Sequence, residues 1–231
     1  MPQSLLKIHR FLLSHAFYPM VLSSGLALTI YLGRVILSGS WRQYANLVWN
    51  LVLAWVPYGF SIIAAILNRL FPKQWWLLIA PGAIWLIFFP NAAYIITDFT
   101  HLAEFEEIPL WYDILLLTTF AWTGVFLAMF SLRTMQRLVQ SCMGRIVSWL
   151  FAATALSLTS LGIYLGRFDR WNSWDLLLKP ESILADVAKR FANPLENMRF
   201  FGFTMLFTAF LVVCYLIFTT IPYSDEQKSK P

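Results

Sequence analysis

Charge is what this chain has least of. Lys, Arg, Asp and Glu make up 13% of 231 residues, against 59% hydrophobic and 17% aromatic, whereas ordinary soluble domains carry about 25% charged residues. So few charges cannot cover a water-facing surface, and a mean hydropathy of +0.64 makes lipid the solvent for most of the chain. Cysteine is nearly absent too. Cys214 falls inside an apolar run and Cys142 in an expected loop, so neither a disulfide framework nor a single bridge is expected. The common catalytic signatures are missing: there is no Gly-x-Ser-x-Gly, His-Glu-x-x-His, phosphate-binding glycine loop or Cys-x-x-Cys.

What the chain has is apolar length. A spanning helix needs roughly 20 mainly apolar residues, and six runs qualify, near residues 18–38, 46–67, 75–96, 110–132, 145–165 and 200–220. Backbone groups in lipid must pair within their own segment, and no ten-residue alternation marks barrel strands, so the runs predict helices. Trp41, Trp75, Trp76, Trp111, Trp149, Trp171 and Trp174 gather at run ends, as interfacial indoles do. Nothing outside the runs is long enough for a separate core. The expected fold is therefore all-α, a polytopic membrane helix bundle forming one domain over 1–231. In the fifth loop, Ile183, Leu184, Val187, Ala188 and Phe191 recur at helical spacing against Asp186, Lys189 and Arg190, which predicts a short interfacial helix near 181–191 between Pro180 and Asn193-Pro194. The first run has no small-residue cleavage pattern and reads as a retained helix rather than a signal peptide. No internal repeat supports an inverted-repeat transporter.

The net charge of +5 and pI near 9.3 do not imply a nucleic-acid partner, because the basic residues lie in short loops; they read as topology determinants and contacts to membrane lipids. With the N-terminus inside, Lys7, Arg10, Arg69, Lys73, Arg133, Arg137, Arg145, Lys228 and Lys230 are cytoplasmic, against Arg34 and Arg42 in the first and second exoplasmic loops; the long loop from Gly166 to Arg199 carries six more basic residues, discounted because five acidic residues accompany them and the loop looks structured. The stretch 97–109 has no Lys or Arg and carries Asp98, Glu104, Glu106 and Glu107. An N-in, C-in orientation follows, with both polar segments opening on the exoplasmic side.

Those segments hold the candidate chemistry. If the third helix continues through its end, Asn91, Tyr94, Asp98 and His101 form one stripe about 80° wide, while Pro90 removes a backbone donor and favours a kink. Ionisable groups at membrane depth are functional candidates by default, although interhelical hydrogen bonds are also ordinary packing glue. Asp98 and His101, three residues apart, could face one divalent ion, yet His9 and His15 fall on the other side and no metal site is assigned. Asp113, one turn into the fourth helix, is expected to accept from Arg167 or Arg170 or to cap its own helix. Gly162 and Gly166 have small-xxx-small spacing for close helix approach. Arg167 and Arg170 follow, able to hold a carboxylate or phosphate bidentately or to pair internally with Asp98. Asn172 and Asp175 flank the indoles with groups able to bond backbone or ligand.

The segments Phe89-Pro90-Asn91-Ala92-Ala93-Tyr94-Ile95-Ile96-Thr97-Asp98 with His101-Leu102, Trp111-Tyr112-Asp113, and Gly166-Arg167-Phe168 with Arg170-Trp171-Asn172-Ser173-Trp174-Asp175 resemble domain-of-unknown-function family 1361. The resemblance implies a multi-pass protein of the bacterial cytoplasmic membrane, and implies no activity, substrate or cofactor. Three readings stand open. The polar cluster binds, and in one version processes, an anionic envelope component or lipid head group; or it is a helix-packing clamp in a structural or assembly protein; or it belongs to a small-solute transporter.

Overall fold

The computed structural model describes residues 3–102 and 108–220. Every regular element among them is helical: α1 (Gln3–Ser14), α2 (Phe17–Ser38), α3 (Ala45–Leu70), α4 (Ile79–Tyr94), α5 (Leu110–Met143), α6 (Arg145–Phe168), α7 (Asp175–Leu178), α8 (Pro180–Ala192) and α9 (Met198–Thr220), with 3₁₀ turns at Trp75–Leu78 and Ile95–His101 on either side of α4. Six helical rods have the length and apolarity to cross a membrane: α2, α3, Trp75–His101, α5, α6 and α9. The architecture is an all-α polytopic bundle.

One helix organises it. In α5, 56% of the most apolar window is buried, against 17% in α9, and α5 packs on α2, α3, α4, α6 and α9. Glycine makes the closest of these approaches feasible: a Cβ on Gly124 of α5 would run into the Ala92 carbonyl oxygen of α4. On the other side of α4, a Cβ on Gly162 of α6 would lie 2.9 Å from Pro90 Cγ, and one on Gly166 would lie 3.2 Å from the Tyr94 ring. The small-xxx-small spacing is thus where α6 closes on α4, leaving α4 between α3 and α6.

The boundaries depart from the hydropathy runs in four places. The third span tightens to a 3₁₀ turn over its last seven residues, and Pro90 is carried inside α4 without ending it. Because residues i and i+3 eclipse in a 3₁₀ helix, Asp98 and His101 line up on one edge. Helix α5 runs 11 residues past 132 to Met143, since nothing breaks it before Gly144, at φ 89°; Cys142 is therefore in its last turn and exposed, not in a loop. The interfacial helix gains one residue at each end, starting with Pro180 at its first position. Finally, α1 is absent from the hydropathy reading because 12 residues cannot span; its signal is amphipathic, with Leu5, Ile8 and Leu13 exposed beside Lys7 and Arg10. Glu104, Glu106, Glu107, Lys228 and Lys230, used above for orientation, lie outside the described residues.

Two predictions follow from local packing. Gly124→Ala forces an α4–α5 shift and is expected to cost about 1–3 kcal/mol, the range for overpacking. By contrast, Gly25→Ala in α2, where an added Cβ meets nothing within 4 Å, is expected to be neutral or to gain up to about 1 kcal/mol of helix propensity; thermal unfolding in detergent reads both. At the α1–α2 turn, burial pushes the His15 imidazole down, with Arg137 acting in the same direction against the hydrogen bond to the Phe11 carbonyl. A lowered folded value means that the unfolded chain binds more protons in between, so this contribution is present above about pH 6.5 and is lost as pH falls through that window. Acidification from pH 7.5 to 5.5 should lower the unfolding temperature more for wild type than for His15→Gln; equal shifts would contradict it.

Candidate functional site

Two ion pairs lie at the end of the bundle where the polar segments converge, Arg34 with Asp113 fully buried and Asp98 with Arg167 buried at the carboxylate, the guanidinium being 14% exposed. Asp98, 1% exposed, accepts from Arg167 Nη2 at 2.8 Å through one oxygen and from Asn50 Nδ2 of α3 at 2.8 Å through the other. All three nitrogens of Arg167 are engaged: besides the Nη2 bond, Nε donates to Thr97 Oγ1 at 3.0 Å, Nη1 lies 3.2 Å from His101 Nε2, and the guanidinium sits 5.0 Å over the Tyr94 ring. An arginine only donates, so His101 Nε2 accepts and its ring proton belongs on Nδ1. The eclipsed register of the 3₁₀ turn is what lets Asp98 and His101 grip one guanidinium.

The second pair corrects an expectation. Asp113, 1% exposed, is held not by Arg167 or Arg170 but by Arg34 of α2, equally buried, at 2.6 and 3.1 Å. Arg34 also donates to Gln43 and stacks 4.8 Å from the Tyr44 ring. It is a buried partner inside a spanning helix and not the loop cation that the orientation count made it. Between the pairs stands Tyr44, whose hydroxyl is 3.1 Å from the His101 carbonyl and 3.2 Å from Asp113 Oδ2. One proton serves two acceptors, so the hydroxyl couples the two ion pairs into one network spanning α2, α3, the 3₁₀ turn, α5 and α6.

Beside this closed network lies an open cleft of about 510 Å³. Asn91, Tyr94, Arg170 and Asn172 line it, together with Asn50 and Ser173, over an apolar trough from α3, α4 and α6; Ile183, Leu184 and Val187 of α8 form its outer wall. Asn91 Nδ2 donates to Ser173 Oγ at 2.7 Å and to the Phe88 carbonyl at 3.0 Å, which ties the turn after α6 to α4. That turn pivots on Arg170, at φ 61°, with Trp171 N–H bonded back to the Leu165 carbonyl at 3.2 Å. Arg170 is exposed, and among the described residues it makes no hydrogen bond or ion pair. The Tyr94 hydroxyl likewise has no hydrogen-bond partner among them. Asp175 is not in the cluster: its Oδ2 accepts from Asn172 N–H at 2.8 Å and Nδ2 at 3.2 Å, the reach-back of a side chain in the first turn of a short helix. No group of three or more His, Cys, Asp and Glu fit for a metal occurs among the described residues.

The nine candidates thus divide. Asp98, His101, Asp113 and Arg167 belong to the buried network, Asn91, Tyr94, Arg170 and Asn172 to the cleft, and Asp175 to a local turn. Arg34, Tyr44, Asn50, Thr97 and Ser173 were missed. For Arg34 and Asn50 the signal is a polar residue within an apolar run, and Thr97 and Ser173 lie within the two polar segments; Tyr44 has no such signal.

Six apolar spans around buried ion pairs define a multi-pass α-helical membrane protein. The family described as a protein of unknown function, DUF1361, matches residues 49–214, and the chain belongs to it. No curated protein and no solved structure matches the chain.

Breaking the buried pair by one partner leaves a charge uncompensated, so Asp98→Asn or Arg167→Gln is expected to cost about 3–5 kcal/mol, while Asp98→Leu with Arg167→Met is expected to be close to neutral. Thermal unfolding in detergent of the three variants checks this, and a double variant as unstable as the worse single would refute it.

Proposed function

We propose that this protein binds an anionic envelope component in the cleft, as one membrane domain of the bacterial cytoplasmic membrane with both termini inside. The cleft then opens on the exoplasmic side. The observation that carries the reading is the lining itself: among the described residues it contains one cation, Arg170, and no carboxylate. Its uncommitted polar hydrogens, on Arg170, Tyr94 and the Ser173 hydroxyl, stand beside the amide oxygens of Asn50, Asn91 and Asn172, so Arg170 is the group that gives the cleft its charge. A concavity with an apolar body, one cation and no carboxylate suits an anionic ligand.

At φ 61° Arg170 takes the left-handed region, as Ala16 and Tyr44 also do, at a cost of roughly 1–2 kcal/mol to a non-glycine residue. The clamp reading has its own observation, the mutual pairing of Asp98 with Arg167 and of Arg34 with Asp113, and we assign it to that network rather than to the cleft. Orientation is supported by the basic bias of the short loops, from whose exoplasmic count Arg34 is now removed; the six basic residues of 166–199 are set aside because five acidic ones accompany them.

Arg170→Gly is expected to keep or raise the unfolding temperature and to strip bound anion from the purified protein, as read by mass spectrometry of extracted ligand. An unchanged complement of bound anions would overturn the binding reading. Reporter fusions after Asp98 and after Asp175 should both score exoplasmic; a cytoplasmic score for either would overturn the orientation.

A further inference from the structure

We infer that the occupant of the cleft is a phosphate-bearing lipid, its phosphate at Arg170 and one chain laid in the trough along α4; this rests on the anion-binding reading above. The trough has a direction. Its α4 floor is a single helical stripe, Leu86, Pro90 and Tyr94, and its α6 wall runs from Leu158 to Gly166; eight residues at about 1.5 Å each give a depth of about 12 Å on both. Half of a hydrocarbon core of about 30 Å is about 15 Å, so the trough is close to one leaflet deep. A chain of carbons about 1.5 Å apart in zigzag advances roughly 1.25 Å per atom, and nine or ten carbons fill it.

Polarity follows the same axis. Leu86 and Leu158 lie at the deep end, 37% and 44% exposed, so that end is open sideways to lipid. Arg170, Ser173 and the Tyr94 hydroxyl gather at the other end, where Trp171 and Trp174 mark the head-group level. Donors on both α4 and the turn after α6 approach from two directions, which suits the tetrahedral spread of phosphate oxygens better than a carboxylate with its two oxygens in one plane. A soluble anion would use the donors and leave the trough empty. A lipid of the same leaflet uses both, and it enters sideways past Leu86 and Leu158 with its remaining atoms left in the bilayer.

The test uses the full chain in dodecyl maltoside, a detergent without phosphate, and two probes. Inorganic phosphate is scored by protection of Arg170 from phenylglyoxal, read by peptide mass; dodecyl phosphate carrying a diazirine near carbon 8 is scored by the peptides it labels. Expected are protection by inorganic phosphate, and labelling within Leu86–Tyr94 and Leu158–Gly166 that falls at least tenfold in Arg170→Gln. Leu161→Trp, which fills the trough, should remove that labelling and keep the protection. Protection without trough labelling, or labelling that ignores Arg170, would overturn the lipid inference and leave the anion-binding reading standing. Neither protection nor Arg170-dependent labelling would overturn both.

Discussion

A charge held out of water must find another charge, and in this bundle four of them do. Arg34 with Asp113 and Arg167 with Asp98 are each paired within 2.8 Å, and removing either member would leave an ion whose desolvation nothing offsets. The pairs are strung across α2, α5, α6 and the 3₁₀ turn, so the need for mutual neutralisation fixes how those elements meet at one end. In lipid, where the hydrophobic effect does not drive helices together, such polar ties and the close glycine contacts of Gly124 and Gly162 set the packing. The cleft inherits its shape from them: Asn50, which lines it, is fixed by Asp98, and Tyr94, on its floor, lies under Arg167.

Chemistry divides the arginines after α6. Arg167 spends its edges on Thr97, His101 and Asp98, so it has little left for a ligand. Arg170, three residues on, is turned away by a left-handed backbone and lies on the cleft. One motif therefore supplies a structural cation and a cation open to the cleft, and the change of hand at Arg170 separates the two roles. Helix α8 closes the outer side and is itself tied down by Arg190, 2.7 Å from Asp169 at the end of α6.

Much of this was legible before any coordinates. Runs of 20 or more apolar residues leave few alternatives to spanning helices, and the complementary charges of the two polar segments already suggest that Arg167 meets Asp98. The partner of Asp113 was misjudged because Arg34 lies near the end of its run and was taken for a loop residue, when an arginine within an apolar segment is itself a sign of a buried partner. Tyr44 carries no signal, since its importance lies only in what stands opposite it, and Ser173 is marked only by its place in a polar segment. For α8 the periodicity gave the apolar face, but nothing in one sequence says that Ile183, Leu184 and Val187 border a cleft. The 3₁₀ turn was invisible for a related reason: Ile95–His101 looks equally at home in an α-helix, and only the demand of Arg167 for both Asp98 and His101 selects the tighter winding.

The network account is tested most directly by the coupling between its two ion pairs. Thermal unfolding in detergent would be measured for Arg34→Met with Asp113→Leu, for Asp98→Leu with Arg167→Met, and for all four changes together. If Tyr44 joins the pairs into one network, the combined effect should depart from the sum of the two by about 0.5 kcal/mol or more, as residues in one hydrogen-bonded network do, and Tyr44→Phe should abolish that departure. Strict additivity, within about 0.3 kcal/mol, would mean two independent clamps and would contradict the account.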